Sequence, residues 1–150
     1  MDNLINTLKE NNQDFEFYPT TTEIINTMFW DLRKSNDISR GTSLLDIGCG
    51  NGKLFKTLEE LNYKGKDQYG RIEKHIDFNL SKYGIEKSEI LIDQCPSDLI
   101  IVGTDFYQNT LMDKKVDLIF SNPPYSEFEE WTAKIIREAY AKYIYLVIPQ

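Results

Sequence analysis

The sequence predicts an α/β fold in which a mostly parallel sheet lies between two layers of helices, and three observations lead to this prediction. Short apolar runs alternate with segments of helical periodicity, a pattern that is typical of buried parallel strands joined by helices. A cluster of glycines follows the first such run, at the point where a strand would pass into a helix. The chain has 150 residues, of which 41% are hydrophobic, so it can form the core of one domain.

The first 40 residues are predicted to form a helical segment that precedes a core of residues 41–150. Apolar residues recur at helical spacing within the first twelve residues. Tyr18 and Pro19 then interrupt the pattern. Thr20 and Glu23 have the Thr-x-x-Glu spacing of a capping box, and the apolar residues behind them predict a second helix.

The core contains five runs that we predict to be strands, and helical segments lie between most of them. A polar stretch of residues 62–82 is the exception, because its pattern favours neither a helix nor a strand. The predicted strands are residues 43–47, 83–85, 99–102, 116–120 and 143–148, and the predicted helices are residues 54–61, 88–94 and 128–140.

Charge and composition exclude several classes of protein. The net charge is −7, from 24 acidic and 17 basic residues, so a nucleic-acid role would need a local basic surface or residues outside this chain. The longest apolar runs are too short to span a bilayer, and the N-terminus does not resemble a signal peptide. The two cysteines are too few for a disulfide scaffold and lack further ligands at metal spacing. We therefore expect a cytoplasmic protein with no membrane partner and no metal site.

The glycine cluster begins with Asp46 and continues with Gly48, Gly50 and Gly52. Glycines permit a tight turn and a close approach of ligand to backbone, and the following helix offers free N–H groups to an anion. A phosphate-binding loop would need a hydroxyl where Leu54 stands, and the dinucleotide fingerprint places its third glycine one residue later. We expect a ligand-binding loop of another kind, with a plain tight turn as the alternative.

Residues 44–52 resemble the first motif of class I S-adenosylmethionine-dependent methyltransferases. The resemblance implies a Rossmann-like fold with S-adenosylmethionine as the cofactor. In that family the loop backbone wraps the methionine part of the cofactor, and the leading acid, here Asp46, lies near its amino group. The loop contacts that the resemblance implies are Gly48, Cys49, Gly50, Asn51 and Gly52.

Methyltransferases of this family place a second acid at the tip of strand two, where a carboxylate accepts hydrogen bonds from the ribose hydroxyls. Glu73 fits the usual spacing of about 20 residues after the glycines. Glu86 lies farther on, but a helix-like segment and the next strand follow it, so we favour Glu86. An ordinary surface glutamate is the alternative at either position.

The adenine end of the cofactor is expected at the third strand. The resemblance implies that Asp105 accepts a hydrogen bond from the adenine amino group and that Phe106 packs on the ring. Ile85 could cover the other face of the ring. Asp105 could instead cap the next helix.

The sharpest motif is Asn122-Pro123-Pro124-Tyr125, at the end of the fourth predicted strand. Prolines end a strand and stiffen the turn, so a plain strand exit is the alternative. The motif resembles the fourth motif of methyltransferases that modify planar amino groups. Asn122 and the Pro123 carbonyl would accept the hydrogens of the target amine, Pro124 would help to fix that carbonyl, and Tyr125 would stack on the target.

This motif resembles that of adenine N6 enzymes, so DNA (or RNA) is the expected substrate. A protein glutamine N5 methyltransferase and an inactive fragment that binds cofactor or a partner are the alternatives. Tyr18, Pro19 and Thr20 are similar to the segment that packs over the methionine end of the cofactor in adenine enzymes. That segment is therefore included among the cofactor contacts.

The number of predicted strands bears on whether the chain contains the whole fold. Folds of the resembling family use seven strands, whereas five are predicted here, so we expect a truncated chain that lacks the C-terminal hairpin. Nucleic acid would then be contacted through residues outside the chain. The strand at residues 143–148 would form an exposed edge that a second copy of the chain could cover.

Overall fold

The computed structural model describes residues 2–34, 41–64, 69 and 79–150, and the candidate Glu73 lies outside them. The described helices and strands follow the predicted alternation along the chain. The helices are α1 (Asp2–Glu10), α2 (Thr22–Lys34), α3 (Lys53–Lys64), α4 (Glu89–Ile92) and α5 (Phe128–Glu138), and the strands are β1 (Ser43–Ile47), β2 (Ser81–Ile85), β3 (Ile100–Gly103), β4 (Leu118–Ser121) and β5 (Tyr143–Leu146).

The five strands form one parallel sheet in the order β3-β2-β1-β4-β5. The predicted α/β fold is therefore confirmed. In the central strands Ile47 pairs with both Ile85 and Ser121, so β1, β2 and β4 end at the same level. After β1 the chain continues to β2 on one side of β1, and β4 lies on the other side. Ligands of open parallel sheets bind at the carboxyl ends of the strands where the strand order reverses in this way.

Each strand contributes side chains to both faces of the sheet, because successive residues of a strand point in opposite directions. Leu44 packs with α2 and α3 on one face, and Leu45 packs with α5 on the other. The first face also buries Ile25, Met28, Phe29, Leu32, Leu54, Phe55, Leu58, Leu118 and Phe120, and the second also buries Ile47, Ile85, Phe106, Leu111, Ile119, Trp131 and Ile135.

The start of α2 differs from the capping-box prediction by one residue. The backbone N–H of Ile24 donates to Thr21 Oγ1 at 3.4 Å, so Thr21 supplies the cap of a helix that begins at Thr22. The hydroxyl of Thr20 is therefore not used by the helix.

Strand β5 lies at one edge of the sheet, as the sequence predicted. Ile144 is partly exposed there, and Ile148 just beyond the strand is more exposed. Pairing of this edge with a second copy stays a prediction. None of the described helices is long and apolar enough to cross a membrane.

Candidate cofactor and target site

A cavity of about 970 Å³ opens at the carboxyl edge of the sheet. Its size is at the upper end of the range for small-molecule sites. The ends of β1, β2 and β4 form its floor, and residues 14–20 cross above them. The predicted site residues that line it are Tyr18, Pro19, Thr20, Asp46, Gly48, Cys49, Gly50, Asn51, Ile85, Glu86, Asp105, Phe106, Asn122, Pro123, Pro124 and Tyr125.

Among the predicted site residues that the structure describes, Gly52 alone does not line the cavity. Its φ is +77°, which glycine adopts without strain. A Cβ at this position would lie 2.6 Å from Pro96 Cδ. Gly52 is therefore required by the turn and by its packing against Pro96.

The glycine loop is tied to the end of β2 by hydrogen bonds. The N–H groups of Gly48 and Cys49 donate to the Ile85 carbonyl at 2.8 and 3.1 Å. The N–H of Gly50 donates to Glu86 Oε2 at 2.7 Å. The first predicted motif and the favoured ribose acid are thus brought into direct contact.

Cys49 contributes to this site mainly through its backbone. Its side chain is buried against Gly84, where an added Cβ would lie 2.7 Å from Cys49 Sγ. Contact with Cys95 and then burial raise the pKa of the Cys49 thiol. The Cys95 thiol donates to the Gly50 carbonyl at 3.3 Å, a contact with the loop that the sequence did not indicate.

Glu86 is buried, and most of its hydrogen-bonding capacity is already used. Oε1 accepts from the N–H groups of Lys87 and Ser88 at 2.9 Å each, and Oε2 accepts from Gly50. Burial raises the pKa of this carboxyl, although the three N–H groups oppose the effect. A carboxylate has about four acceptor positions, so one remains for a ligand hydroxyl.

Asp46 is 4% exposed, and burial and neighbouring charges, without a hydrogen bond from any described residue, determine the pKa of its carboxylate. Burial, the negative charge of Glu86 and then Cys95 raise its pKa well above the usual range. A buried carboxylate without a partner is costly. Asp46 lines the cavity, so a cationic ligand group such as an ammonium next to its carboxylate would relieve that cost.

The expected adenine residues lie at the other end of the cavity. Asp105 Oδ1 accepts from the N–H of Tyr107 at 3.0 Å and caps the short turn Phe106–Gln108, as the alternative interpretation held. The Phe106 ring is buried against Trp131, with 4.3 Å between centroids. Trp131 therefore supports the Phe106 ring, Phe106 still lines the cavity, and Ile85 lies in the same cluster.

One buried polar atom in the glycine loop also fits a ligand. Asn51 Oδ1 is buried and has no hydrogen-bond partner among the described residues. Buried polar atoms in native proteins are nearly always paired. Together with the carboxylate of Asp46, this atom makes the loop suited to a ligand that carries hydrogen-bond donors.

We call residues 13–20 the crossing segment, because they run over the cavity from one side of the sheet to the other. Gln13 Oε1 accepts from Ser88 Oγ at 2.9 Å, beside the end of β2. Glu16 accepts from the N–H of Ser126 at 3.0 Å and from its hydroxyl, just after Tyr125. The segment therefore joins the loop after β2 to the loop after β4.

Phe17 lies at the middle of the crossing segment and contacts the glycine loop. A Cβ on Gly50 would lie 2.7 Å from Phe17 Cε2, so the ring needs a glycine at that position. Phe15 and Glu16, just before it, have φ angles of +38° and +55°. Such values cost a non-glycine residue about 1–2 kcal/mol, and the contacts of Glu16 help to offset this.

Asn122 follows β4 directly and donates two hydrogen bonds to the crossing segment. Its Nδ2 lies 3.3 Å from the Tyr18 carbonyl and 3.3 Å from Thr20 Oγ1. Tyr125 is 68% exposed at the cavity mouth. Ser121 Oγ donates to the Ile47 carbonyl at 2.9 Å and holds the end of β4 against β1.

Acidic side chains surround the outer part of this site. Tyr107 OH lies 3.0 Å from Glu127 Oε1 and 3.2 Å from Glu130 Oε2. Burial and then these two glutamates raise the pKa of Tyr107. Together with Glu16 they make the surface near Tyr125 negative.

A search of the curated proteins finds a relative for part of the chain. The methylase subunit of the MjaIX type I restriction enzyme from Methanocaldococcus jannaschii is 29% identical over 104 residues. The match covers 65% of this chain and 17% of that protein, so the chain spans less than a fifth of its relative's length.

Solved structures share the fold at low sequence identity. A SAM-dependent methyltransferase from Geobacter sulfurreducens, in complex with S-adenosyl-L-homocysteine, has a TM-score of 0.60 at 17% identity; the match covers 95% of this chain and 53% of that one. The plantazolicin methyltransferase BpumL, also with S-adenosyl-L-homocysteine, has a TM-score of 0.54 at 16% identity, over 92% of this chain and 48% of that one. The chain thus spans about half the length of these two structures.

The family assignment rests on a match over most of the chain. The model of the methyltransferase small domain matches residues 28–143, from within α2 to the start of β5. The resemblance to class I S-adenosylmethionine-dependent methyltransferases that the glycine loop indicated is thereby confirmed. The chain belongs to the methyltransferase small domain family.

Proposed function

We propose that the chain binds S-adenosylmethionine in the cavity and directs its methyl group to the exocyclic amine of adenine, N6, in DNA. The orientation of Asn122 carries this proposal. Because its Nδ2 donates to the crossing segment, its Oδ1 is left free to accept a hydrogen bond, and Asn122 is one of the residues that line the cavity. An acceptor at this position is what an amine with two hydrogens requires.

The cofactor fits the polarity of the cavity. Its amino group would lie at Asp46, the buried carboxylate without a partner. One ribose hydroxyl would use the remaining acceptor position of Glu86. Adenine would lie between Ile85 and Phe106, and Asp105 would accept a hydrogen bond from the adenine amino group. Asn51 Oδ1 would accept from a donor of the ligand.

The chain's own residues position the target amine. The cofactor, when bound, supplies a methyl group on a sulfonium sulfur. Asn122 Oδ1 and the Pro123 carbonyl accept the two amine hydrogens and stabilise the positive charge that develops on nitrogen. The exposed ring of Tyr125 stacks on the planar target, which in duplex DNA has to leave the base stack. Positioning supplies most of the rate, so no strong base is needed.

Two observations support DNA as the substrate, and one restricts how it binds. The Asn-Pro-Pro-Tyr motif resembles that of adenine enzymes, and the curated relative is the methylase subunit of a restriction enzyme. The acidic rim and the net charge of −7 oppose close contact with phosphates. We therefore propose that phosphate contacts come from residues outside this chain.

A protein glutamine amide is the second candidate, and the acidic rim favours it. Glutamine carries the same planar amide hydrogens that Asn122 and Pro123 would accept. A neutral or basic peptide would meet Glu16, Glu127 and Glu130 without the repulsion that DNA encounters.

The test uses labelled S-adenosylmethionine with three acceptors: adenine-containing DNA, the same DNA already methylated at N6, and a glutamine peptide. We expect label only on the unmethylated DNA. Label on the peptide alone would replace the proposal with the glutamine candidate. Cofactor binding without transfer to any of these acceptors would favour the inactive, partner-binding alternative.

Substitution of Asn122 tests the acceptor role directly. We expect Asn122→Ala to lower kcat about 100-fold, the typical cost of removing one preorganised polar contact in a transition state, with the affinity for S-adenosylmethionine nearly unchanged. Asn11→Ala, at an exposed asparagine beyond α1, is the control. Unchanged kcat in Asn122→Ala would contradict the role.

A further inference from the structure

We propose that Thr20, together with the Tyr18 carbonyl, is a positioning residue that fixes which way round the Asn122 carboxamide lies. The inference rests on the proposed function, because it explains how the Asn122 oxygen is presented to the target amine. Both contacts come from the crossing segment, more than 100 residues earlier in the chain.

A carboxamide has a donor end and an acceptor end of nearly the same shape. If Asn122 were turned by half a rotation, its oxygen would face the Tyr18 carbonyl, which has no hydrogen to donate. The two oxygens would repel each other, so the carbonyl selects the observed orientation. The NH2 group has two hydrogens, and Thr20 Oγ1 provides the second acceptor at 3.3 Å.

Thr20 is available for this contact because α2 does not need it. Thr21 caps the helix through Ile24, although the sequence spacing predicted Thr20 in that role. The hydroxyl of Thr20 therefore binds the side chain that follows β4. The same segment contacts the glycine loop through Phe17, so the contact holds Asn122 in register with the cofactor loop.

The test compares three threonine variants. Thr20→Val removes the hydroxyl with little change of shape, and Thr20→Ser restores it. Thr22→Val, at an exposed threonine in the first turn of α2, is the matched control. We expect Thr20→Val to lower kcat about fivefold, the usual effect of one lost hydrogen bond, with the KM for S-adenosylmethionine unchanged. Thr20→Ser and Thr22→Val should keep the wild-type kcat.

A second measurement needs no substrate. The side-chain amide of Asn122 gives two nitrogen-bound proton resonances in NMR spectra, and we expect Thr20→Val to shift one of them and speed its exchange with water. This change would support the positioning role even if no substrate were methylated, in which case only the substrate assignment would fail.

Three results would overturn the inference. Asn122 resonances that stay in place in Thr20→Val would show that the contact is not made. A raised KM for S-adenosylmethionine with unchanged kcat would make Thr20 a cofactor contact instead. If Thr20→Val lost kcat and Thr20→Ser lost it as well, the absence of the hydroxyl would not be the cause of the loss.

Discussion

Asp46 is the residue whose surroundings say most about the ligand. It lies in the central strand, nearly inaccessible to solvent, beside the carboxylate of Glu86. Two neighbouring acids in a protein interior are destabilising unless a cation or a proton compensates them. The free protein therefore keeps a site that a cationic ligand completes.

This environment has a pH dependence with a definite sign. The pKa of Asp46 is raised above its ordinary value of 3.8, and that of Glu86 above 4.5. Groups with a raised pKa favour the folded state most below the ordinary value, and that contribution is lost as the pH rises through the raised value. The ligand-free protein should thus lose stability as these two carboxyls ionise.

We predict that Asp46→Asn makes the ligand-free protein more stable at neutral pH and weakens S-adenosylmethionine binding by about 2 kcal/mol, or about 30-fold. The variant keeps the shape of the side chain but removes the buried charge. Thermal denaturation between pH 4 and pH 8 and calorimetric titration would check both effects.

The control for this prediction is Asp93→Asn, at an exposed aspartate after α4 that does not line the cavity. Asp93→Asn should change neither the stability of the ligand-free protein nor its affinity for S-adenosylmethionine. If Asp46→Asn destabilised the free protein and bound the cofactor as tightly as wild type, Asp46 would be a structural residue.

The glycine loop and the crossing segment form one unit at the scale of elements. Phe17 lies on Gly50, Gly50 donates to Glu86, and Gln13 reaches the residues after Glu86. The unit closes one wall of the cavity. Its packing depends on the absence of a side chain at Gly50.

We predict that Gly50→Ala destabilises the fold more than Gly41→Ala does. Both glycines have positive φ, +55° and +85°, so alanine is strained at either by about 1–2 kcal/mol. At Gly41 an added Cβ meets nothing within 4 Å, whereas at Gly50 it would collide with Phe17. Overpacking adds about 1–3 kcal/mol at Gly50. Denaturant unfolding of the two variants would measure the difference.

A double-mutant cycle separates the two causes. In a Phe17→Ala background the overpacking part of the Gly50→Ala cost should disappear and only the cost of the φ angle should remain. Equal costs with and without the Phe17 ring would show that the crossing segment does not lie on the loop.

The same elements show what the sequence could and could not predict. The strands and the glycine loop were predictable because their signals are local: short apolar runs, and glycines that take positive φ at Gly48, Gly50 and Gly52. Asp46 and Asn122 were assigned to one site by their resemblance to family motifs, and both line the cavity because the strands that carry them end at one edge of the sheet.

The contacts of the crossing segment were not predictable. They join residues that lie 75 and 110 positions apart, as in Gln13 with Ser88 and Glu16 with Ser126. The hydrophobic periodicity of a sequence carries no information about contacts between residues so far apart. For the same reason Thr20 was taken for a helix cap, and the sequence did not indicate that three N–H groups bind the carboxylate of Glu86, the favoured ribose acid.

The molecule as a whole has a cavity suited to a cationic ligand and an acidic surface around it. Five parallel strands place the two functional motifs on neighbouring ends, and the family match extends over most of them. The net charge and the charge of the rim are both negative, so the DNA binding proposed above would need an origin other than the residues that surround the cavity. The cofactor would be held by the residues that line the cavity, and contacts with DNA are proposed to come from residues outside this chain.

The central claim is that this cavity holds S-adenosylmethionine, and calorimetric titration of the chain with S-adenosylmethionine tests it most directly. We predict one site per chain, binding that weakens as the pH falls and Asp46 takes up a proton, and weaker binding in Asp46→Asn than in Asp93→Asn. The absence of saturable binding, or binding that Asp46→Asn leaves unchanged, would contradict the claim.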